Sequence, residues 1–212
     1  DMDAITREMA RRAPGRSALS TARREDDQPE ILSGVFEGKT TGAPLCAVIA
    51  NTDTRSQDYT RTKDLARPGH ADYPARVRYQ GYNDYRGGGA FSGRLTAPLV
   101  FAGAVAKQIL ARRGVFVGAH ISSVYGISDQ LLEDWDSLRA VADKDFPVLD
   151  DRAGEQMRQA ILEAKDEQDS VGGAIECAVF GLPAGLGGPD FGENAEGIFS
   201  QYLFAVPAVK AV

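Results

Sequence analysis

His70 is the residue in this sequence best placed for acid–base chemistry. It lies in the segment RPGHAD (67–72), three residues after Arg67 and two before Asp72. A histidine titrates near neutral pH, so it can give or take a proton, and an arginine can hold a phosphate or carboxylate through two parallel hydrogen bonds. A lone histidine is more often structural than catalytic, and the spacing alone does not show that Asp72 orients the imidazole. His120 follows a strand pattern, and we expect it to be structural.

Three consecutive glycines, Gly87 to Gly89, form a second candidate feature. Consecutive glycines let backbone N–H groups approach an anion closely, and the start of the helix predicted to follow also favours negative charge. Ser92 and Arg94 would lie at that helix start. The segment is neither a P-loop nor a dinucleotide-binding fingerprint, because the residues that define those motifs are absent. The alternative is that these glycines only make the loop flexible.

The stretch from Arg67 to Arg94 shows no helical or strand period, so it is predicted to be a long loop. Loops of this length are usually functional or disordered, and its aromatic residues argue against disorder. A second basic segment lies near the start, with Arg11, Arg12, Arg16, Arg23 and Arg24. The net charge of −6 argues against nucleic acid as a partner, so these arginines favour a small anionic ligand. A solvated surface run is the alternative.

The remaining chain alternates between helical and strand patterns without a strict β-α-β rhythm. This predicts an α+β fold in a single domain, residues 1–212, with sheet packed on central helices. The segment 94–113 is apolar around much of its circumference and is predicted to be a buried helix. We predict helices at 1–12, 94–113, 151–165 and 194–205, and strands at 31–38, 44–51 (joined by a turn at Thr41-Gly42), 115–127, 171–183 and the start of one at PAVKAV (207–212).

The composition is that of an ordinary globular protein, with 43% hydrophobic and 25% charged residues. No run approaches the ~20 apolar residues of a membrane span, and no signal peptide is evident. Cys46 and Cys177 form no metal-binding motif, so we expect no metal site and two buried thiols of a cytoplasmic protein. The chain starts at Asp1 rather than Met and ends within a strand pattern, which predicts a fragment.

Several motifs, in order, resemble the chorismate synthase family over essentially the whole chain. RPGHAD, DYRGGG and a following Ser-x-Arg are joined by RRAPGRS, ILSGVFEGKTTGAP, NTDTRSQDY, TAPLVFAGAVAKQIL and VFGLPAGLGGPDF. The resemblance implies a β-α-β sandwich of mostly antiparallel sheet around central helices. It also implies a cytoplasmic, homotetrameric lyase of the shikimate pathway of aromatic amino acid biosynthesis. Such enzymes convert 5-enolpyruvylshikimate 3-phosphate to chorismate and phosphate by 1,4-anti elimination. They require reduced FMN, which some members regenerate with NADPH and others obtain from an outside source.

The resemblance also implies roles for individual residues. His70 matches the catalytic histidine of RPGHAD, thought to act in proton transfer. Substrate contacts are implied for Arg12, Arg67, Ser92 and Arg94, and cofactor contacts for Ala90, Phe91 and Ser92. Ala90 and Ala18 depart from the common pattern, since a larger side chain usually stands at 90 and a second substrate arginine at 18, where Arg16 is the candidate substitute.

The family resemblance leaves an alternative function open. Family members also have an N-terminal strand with a second catalytic histidine and a C-terminal segment with further flavin contacts, which this chain lacks. The alternative is therefore a catalytically inactive fragment, or an anion-binding or assembly module that retains the fold. The chain alone is expected to be inactive.

Overall fold

The structure is a computed structural model that describes residues 1–15, 17–20, 25–52 and 59–212. Arg16, Arg23 and Arg24 of the predicted basic cluster lie outside these residues. The predicted α+β class is confirmed, because helices are combined with small antiparallel sheets. The elements are α1 (Met2–Arg12), β1 (Pro29–Ser33), β2 (Val35–Phe36), β3 (Lys39–Thr40), β4 (Cys46–Ile49), α2 (Asp72–Arg78), α3 (Thr96–Ala111), β5 (Phe116–Val124), β6 (Ile127–Ser128), α4 (Trp135–Val141), α5 (Asp151–Asp166), β7 (Gly173–Phe180) and α6 (Ala195–Phe204).

The chain divides into two compact units. Unit 1 comprises Asp1–Gly15, Ala22–Ala104 and Glu196–Val212, and unit 2 comprises Arg16–Thr21 and Val105–Ala195. The prediction of a single domain stays a prediction. No helix among the described residues has both the length and the apolar character needed to cross a bilayer.

Helix α1 opens unit 1 and has the predicted bounds to within a residue. The Asp1 side chain accepts the N–H of Asp3, which satisfies one of the free donors of the first turn. Ile5 and Met9 are buried one turn apart on the same face. The helix ends at Arg12, and this places an arginine side chain at the edge of the unit's buried surface.

The predicted hairpin exists, but its turn lies elsewhere. Strands β1 and β4 pair antiparallel, with Pro29 opposite Ile49, and the shorter hairpin β2–β3 lies between them. The tight turn is Glu37-Gly38, not Thr41-Gly42, because Phe36 pairs with Lys39. Both turn residues have positive φ (48° and 73°), as a type I′ hairpin turn requires. The backbone of Gly34 passes close to the backbone of Leu45. A Cβ at position 34 would lie 2.7 Å from the Cα of Leu45, so this position favours glycine.

The stretch from Arg67 to Arg94 is predicted to be one long loop, and this prediction is wrong because the stretch contains a helix. Helix α2 has Asp72 in its first turn and Arg76 and Arg78 in its last, charges that suit the helix dipole. An irregular turn, Arg86–Phe91, and a short 3₁₀ turn, Gly93–Leu95, then lead into α3. A seven-residue helix is too short to show an apolar period, which is why the sequence pattern missed it.

Helix α3 is less buried than predicted. Ala97 and Ala104, seven residues apart on one face, are buried, but Leu99 and Ile109 are about half exposed (54% and 52%). Within the described residues of this chain the helix is therefore only partly covered, and the prediction of a buried helix stays a prediction. An apolar helix surface indicates that other residues pack against it. It does not show that those residues belong to this part of the chain.

Unit 2 is built on β5 and β7, which pair antiparallel from Phe116–Phe180 to Val124–Gly173. Its core contains Val124, Phe146, Val148, Ala153 and Met157, the last two from the predicted helix α5. Helix α4 was missed by the sequence pattern. Its Leu138 packs on Gly118, where a Cβ would lie 2.6 Å from the leucine.

The structure also tests three smaller expectations, on His120, on the two cysteines and on the PAVKAV segment. His120 is buried, as the strand pattern predicts. Cys46 and Cys177 are exposed, so the prediction of buried thiols is wrong. Both lie on strands, and alternate residues of a strand face opposite sides, so an apolar neighbourhood in sequence does not ensure burial. The PAVKAV segment forms no strand.

Candidate functional site

Arg12 and Arg94 contact the same carboxylate, that of Asp27. Arg12, the last residue of α1, donates through Nη1 to Oδ2 of Asp27 and through Nε to the hydroxyl of Thr96, at 3.3 Å. Arg94 places Nη2 3.4 Å from Oδ1 of Asp27 and also donates to the carbonyl of Ala50, at 2.9 Å. Two arginines that are 82 positions apart are thus brought together, as a shared anion site requires.

A second buried carboxylate, Glu25, completes this cluster. Its Oε2 forms an ion pair with Nη1 of Arg94, and its Oε1 accepts the N–H of Thr52 at 3.0 Å. The side chains of Glu25 and Asp27 are 1% and 0% exposed. Sequence reasoning missed both residues. The signal was present, because three acidic residues, Glu25 to Asp27, directly follow the basic run that ends at Arg24.

Arg67 is held by Asp72, five positions later. Both the backbone N–H and the Nε of Arg67 donate to Oδ2 of Asp72, at 2.9 and 2.8 Å, and Nη2 donates to Oδ1 at 2.9 Å. The side-chain hydrogen bond from Arg67 is the main cause that lowers the pKa of Asp72, and the same bond raises the pKa of Arg67. The Arg67 guanidinium also lies over the ring of Tyr59, 5.6 Å from its centroid. Asp72 therefore orients the arginine.

His70 lies within the turn that this ion pair closes. Its backbone N–H donates to the carbonyl of Arg67 at 3.3 Å, and its side chain is exposed. The sequence left open whether Asp72 orients the imidazole. The Asp72 oxygens are instead bonded to Arg67, and His70 acts on Asp72 only as a minor electrostatic influence on its pKa. The histidine is presented to solvent next to an oriented cation.

The three glycines form a turn in backbone conformations that favour glycine. All three have positive φ, and a Cβ on Gly89 would lie 2.8 Å from the carbonyl oxygen of Asp84. A Cβ on Gly88 would lie 3.7 Å from Cβ of Ser92 and 3.8 Å from Nη2 of Arg67. Gly88 therefore lies close to both of these side chains, which links the RPGHAD turn to the segment that enters α3.

Ser92 caps the start of the helical segment. Its hydroxyl accepts the N–H of Arg94 at 3.2 Å, so the cap connects the glycine turn to the cluster around Asp27. Ala90 and Phe91, predicted to contact the cofactor, are both exposed. The ring of Phe91 lies 6.4 Å from that of Tyr79. Gly88 therefore lies near both Arg67 and Ser92, and actual contacts join Ser92 through Arg94 to Asp27 and Arg12.

A cavity of about 600 Å³ lies beside the Arg67–Asp72 pair. Arg67 lines it, whereas His70, Ser92 and Arg94 are not among its lining residues. Tyrosines and charged side chains supply much of its wall, which comprises Tyr59, Thr62, Lys63, Asp64, Leu65, Ala66, Arg67, Asp72, Tyr73, Arg76, Gly81, Asn83 and Tyr85. This cavity alone therefore does not bring together Arg67, His70, Ser92 and Arg94, and the roles that the family resemblance implies for them stay predictions.

Comparison with known proteins gives a consistent result over the whole chain. The chorismate synthase family model matches residues 1–212. This chain belongs to the chorismate synthase family. Chorismate synthases of Dehalococcoides mccartyi and Aeropyrum pernix are 43% identical over 212 residues and 46% identical over 210 residues, respectively. A crystal structure of a chorismate synthase matches with a TM-score of 0.76 and 26% identity, covering 100% of this chain.

The chorismate synthase relatives are longer than this chain. The chain covers 58% of the Dehalococcoides mccartyi protein, 55% of the Aeropyrum pernix protein and 59% of the solved chain. The structural match supports the predicted fold class as that of chorismate synthase. The residue roles implied by the resemblance, including those of His70, Ser92 and Ala90, stay predictions.

Proposed function

We propose that the protein containing this chain converts 5-enolpyruvylshikimate 3-phosphate to chorismate and phosphate by 1,4-anti elimination. Family membership over all 212 residues is the observation that carries the proposal. The geometry of unit 1 supports it, because Arg12 and Arg94 meet at Asp27, and Arg67 lies close to Ser92 across Gly88. A substrate with one phosphate and two carboxylates needs several cations in one region.

In this proposal the three arginines bind and orient the substrate. Arg67 is oriented by both oxygens of Asp72, and Arg12 and Arg94 are fixed by buried carboxylates. A guanidinium that is already fixed loses little conformational freedom when an anion binds. The arrangement therefore favours tight and geometrically defined binding of a polyanion over loose charge attraction.

His70 is the proposed proton-transfer residue. It is exposed, and it lies on the turn that the Arg67–Asp72 pair closes, so a substrate held by Arg67 would be near the imidazole. Proton transfer by a positioned histidine typically contributes ~10²–10⁴-fold to a rate. In the elimination, a proton leaves the carbocycle as the C–O bond to phosphate breaks, and His70 is the candidate to manage a proton at this site.

The residues present around the glycine turn fit part of a site for reduced FMN. No side-chain atom would meet a Cβ on Gly87, Ala90 is small and exposed, and Phe91 exposes 46% of its surface as an apolar ring. We assign Ala90, Phe91 and Ser92 to this contact. Reduced FMN, when bound, would supply the reducing chemistry that the elimination needs, although the overall reaction involves no net oxidation or reduction.

The wider context of the family completes the proposal. It includes a place in aromatic amino acid biosynthesis, a cytoplasmic location and a homotetramer that binds neither nucleic acid nor membrane. Reduced FMN would come from NADPH through the protein's own activity or from an outside reductant. Anaerobic assays with NADPH alone, and with chemically reduced FMN, separate these two sources.

The test of the reaction is an anaerobic assay of the complete gene product. Phosphate release and chorismate formation from 5-enolpyruvylshikimate 3-phosphate are followed with reduced FMN, with oxidised FMN and without flavin. We expect phosphate and chorismate in equal amounts with reduced FMN, and neither product under the other two conditions. Binding of the substrate without any turnover under reducing conditions would instead support the anion-binding module.

A further inference from the structure

Glu25 and Asp27 are buried acids at a site where cations are needed. The two residues expose only 6% and 3% of their surface. Each contacts an arginine to which an anion-binding role is proposed, Glu25 contacting Arg94 and Asp27 contacting both Arg12 and Arg94. At first sight a carboxylate beside an anion site weakens it, because it neutralises part of the positive charge. Its presence therefore calls for a physical reason.

The cost of placing these carboxylates is considerable. Removing a carboxylate from water is compensated only by good pairing and hydrogen bonds. Asp27 also has a backbone φ of 49°, in the left-handed region that favours glycine and that few other residues adopt. Its Oδ1 has no hydrogen bond within the described residues, only the Nη2 of Arg94 at 3.4 Å. Such a residue is held in place by its surroundings.

The geometry indicates what the two acids do. Asp27 lies between two guanidinium groups that would otherwise repel each other at close range. Glu25 connects Arg94 to the backbone N–H of Thr52, three residues beyond the end of β4. Together the two carboxylates fix the separation and the direction of the two arginines.

We propose that Glu25 and Asp27 are positioning residues that hold Arg12 and Arg94 as a preformed pair for the anionic groups of the substrate. The proposal rests on the proposed function, since it deepens the same site. Arg12 uses Nε for Thr96 and Nη1 for Asp27, and within the described residues its Nη2 has no hydrogen-bond partner. This group is the donor that the pair presents to a phosphate or carboxylate oxygen.

A simple charge argument makes the opposite prediction, which makes the proposal testable. If only net charge mattered, neutralising either acid would raise the local positive potential and tighten the binding of an anion. If the acids position the arginines, neutralising either one releases a guanidinium from its place. Misplacement by about 1 Å at a binding site can cost on the order of 10²-fold in catalytic efficiency.

The experiment uses the complete gene product with Asp27→Asn, Glu25→Gln and Glu25→Asp. Asp143→Asn and Glu155→Gln are matched controls, because these acids are exposed and lie in unit 2. Calorimetry gives Kd for inorganic phosphate and for 5-enolpyruvylshikimate 3-phosphate without flavin. Steady-state assays with reduced FMN give kcat and KM, and circular dichroism gives the folded fraction.

We expect Kd and KM for the substrate to rise about 10–100-fold in Asp27→Asn and Glu25→Gln, with kcat nearly unchanged, because the arginines bind ground state and transition state alike. Glu25→Asp keeps the charge but shortens the side chain, so it should show the same loss. The controls should behave as wild type. If Asp27→Asn does not fold, the two Glu25 variants decide.

Three results would overturn the proposal. Tighter or unchanged anion binding in the variants would mean that charge alone matters. A fall in kcat that follows the folded fraction, with KM and Kd unchanged, would mean that the acids only stabilise the fold. Wild type that binds neither phosphate nor substrate would remove the anion site itself. Wild type that binds the substrate but never releases phosphate would refute the proposed function and leave the positioning test intact.

Discussion

Arg67 and Asp72 form a closed ion pair across the RPGHAD turn, with Nε to Oδ2 at 2.8 Å and Nη2 to Oδ1 at 2.9 Å. The Asp72 carboxylate also accepts the backbone N–H of Arg67 at 2.9 Å, so one side chain fixes both the backbone and the guanidinium. His70 lies between the two residues in sequence. The pair therefore couples the shape of the turn to the orientation of a cation and to the position of the histidine.

The first prediction is that Asp72→Asn weakens this turn. An amide can accept at one oxygen only, so Arg67 loses at least one of its contacts. The side chains of Arg67 and Asp72 are 34% and 25% exposed, which reduces the energetic value of the ion pair. We expect a loss of about 1 kcal/mol in the free energy of unfolding, measured by urea titration. In the complete gene product KM should rise more than kcat falls. Asp143→Asn is the control, and an equal loss in both variants would contradict the prediction.

The two histidines provide the second prediction, because their environments are opposite. His70 is exposed on a turn, whereas His120 is buried between Asp129 and Glu176, with each ring nitrogen 3.0 Å from a carboxylate oxygen. We expect His70→Ala to lower kcat by ~10²–10⁴-fold with little change in stability. His120→Asn should lower the melting temperature with little change in kcat of the folded protein. The reverse pattern would exchange the proposed roles.

Sequence patterns predicted the elements of this fold well where they are long. Helices α1 and α5 and strands β5 and β7 have strong periods or apolar runs, and their bounds agree to within a few residues. Helix α2 and α4, of seven residues each, were missed because two turns are too few to establish a period. Exposure of Leu99 on α3 could not be predicted, because it depends on what packs against the helix and not on the helix itself.

The candidate site was only half accessible to sequence reasoning. Residue type and the family resemblance identified Arg12, Arg67 and Arg94, but not their partners. Asp27 pairs with arginines 15 positions before it and 67 after it, and such contacts depend on the tertiary fold. The bond between Arg67 and Asp72 is local, and a turn opened by Pro68-Gly69 could have indicated it. Sequence therefore finds the cations more readily than the carboxylates that orient them.

The third prediction concerns Asp129 and pH. Burial raises the pKa of this carboxyl, but the N–H groups of Asp150 and Leu149 and the ring of His120 lower it more, so the net shift is downward. A lowered pKa in the folded state means that this contribution to stability is complete above the unfolded value of 3.8 and is lost as pH falls through the folded value. Asp129→Asn should cost about 2 kcal/mol near pH 7 and progressively less below pH 4. Urea unfolding at several pH values measures both.

The groups that face Asp129 do not reverse this expectation. His120 lies 3.0 Å away and Glu176 lies on the far side of the same ring. Glu176→Gln removes the second carboxylate and serves as the comparison, since its side chain is 44% exposed and accepts no backbone N–H among the described contacts. A constant difference between wild type and Asp129→Asn from pH 7 to pH 3 would contradict the assignment to this carboxyl.

The fourth prediction concerns the glycine turn. Gly89→Ala places a Cβ 2.8 Å from the carbonyl oxygen of Asp84, at a φ of 50° and ψ of −129°, a region that is nearly restricted to glycine. We expect a loss of roughly 1–3 kcal/mol in the free energy of unfolding, measured by urea titration. Gly93→Ala is the matched control, because a Cβ there meets nothing within 4 Å. Equal stability of the two variants would show that the turn can adopt another shape at little cost.

The last prediction is that a polypeptide limited to these 212 residues binds anions but does not make chorismate. It covers only 55–58% of the length of the two bacterial and archaeal relatives compared above, and catalytic groups that act together lose most of their effect when one is removed. Arg12, Arg67 and Arg94 are all held within unit 1, so inorganic phosphate should still bind weakly, in a manner that Arg94→Gln abolishes. Phosphate release from 5-enolpyruvylshikimate 3-phosphate, measured anaerobically with reduced FMN beside a complete family enzyme, is the assay. Comparable release by the 212-residue polypeptide would show that unit 1 and unit 2 suffice for the reaction, and that the proposed sharing of roles with further segments is wrong.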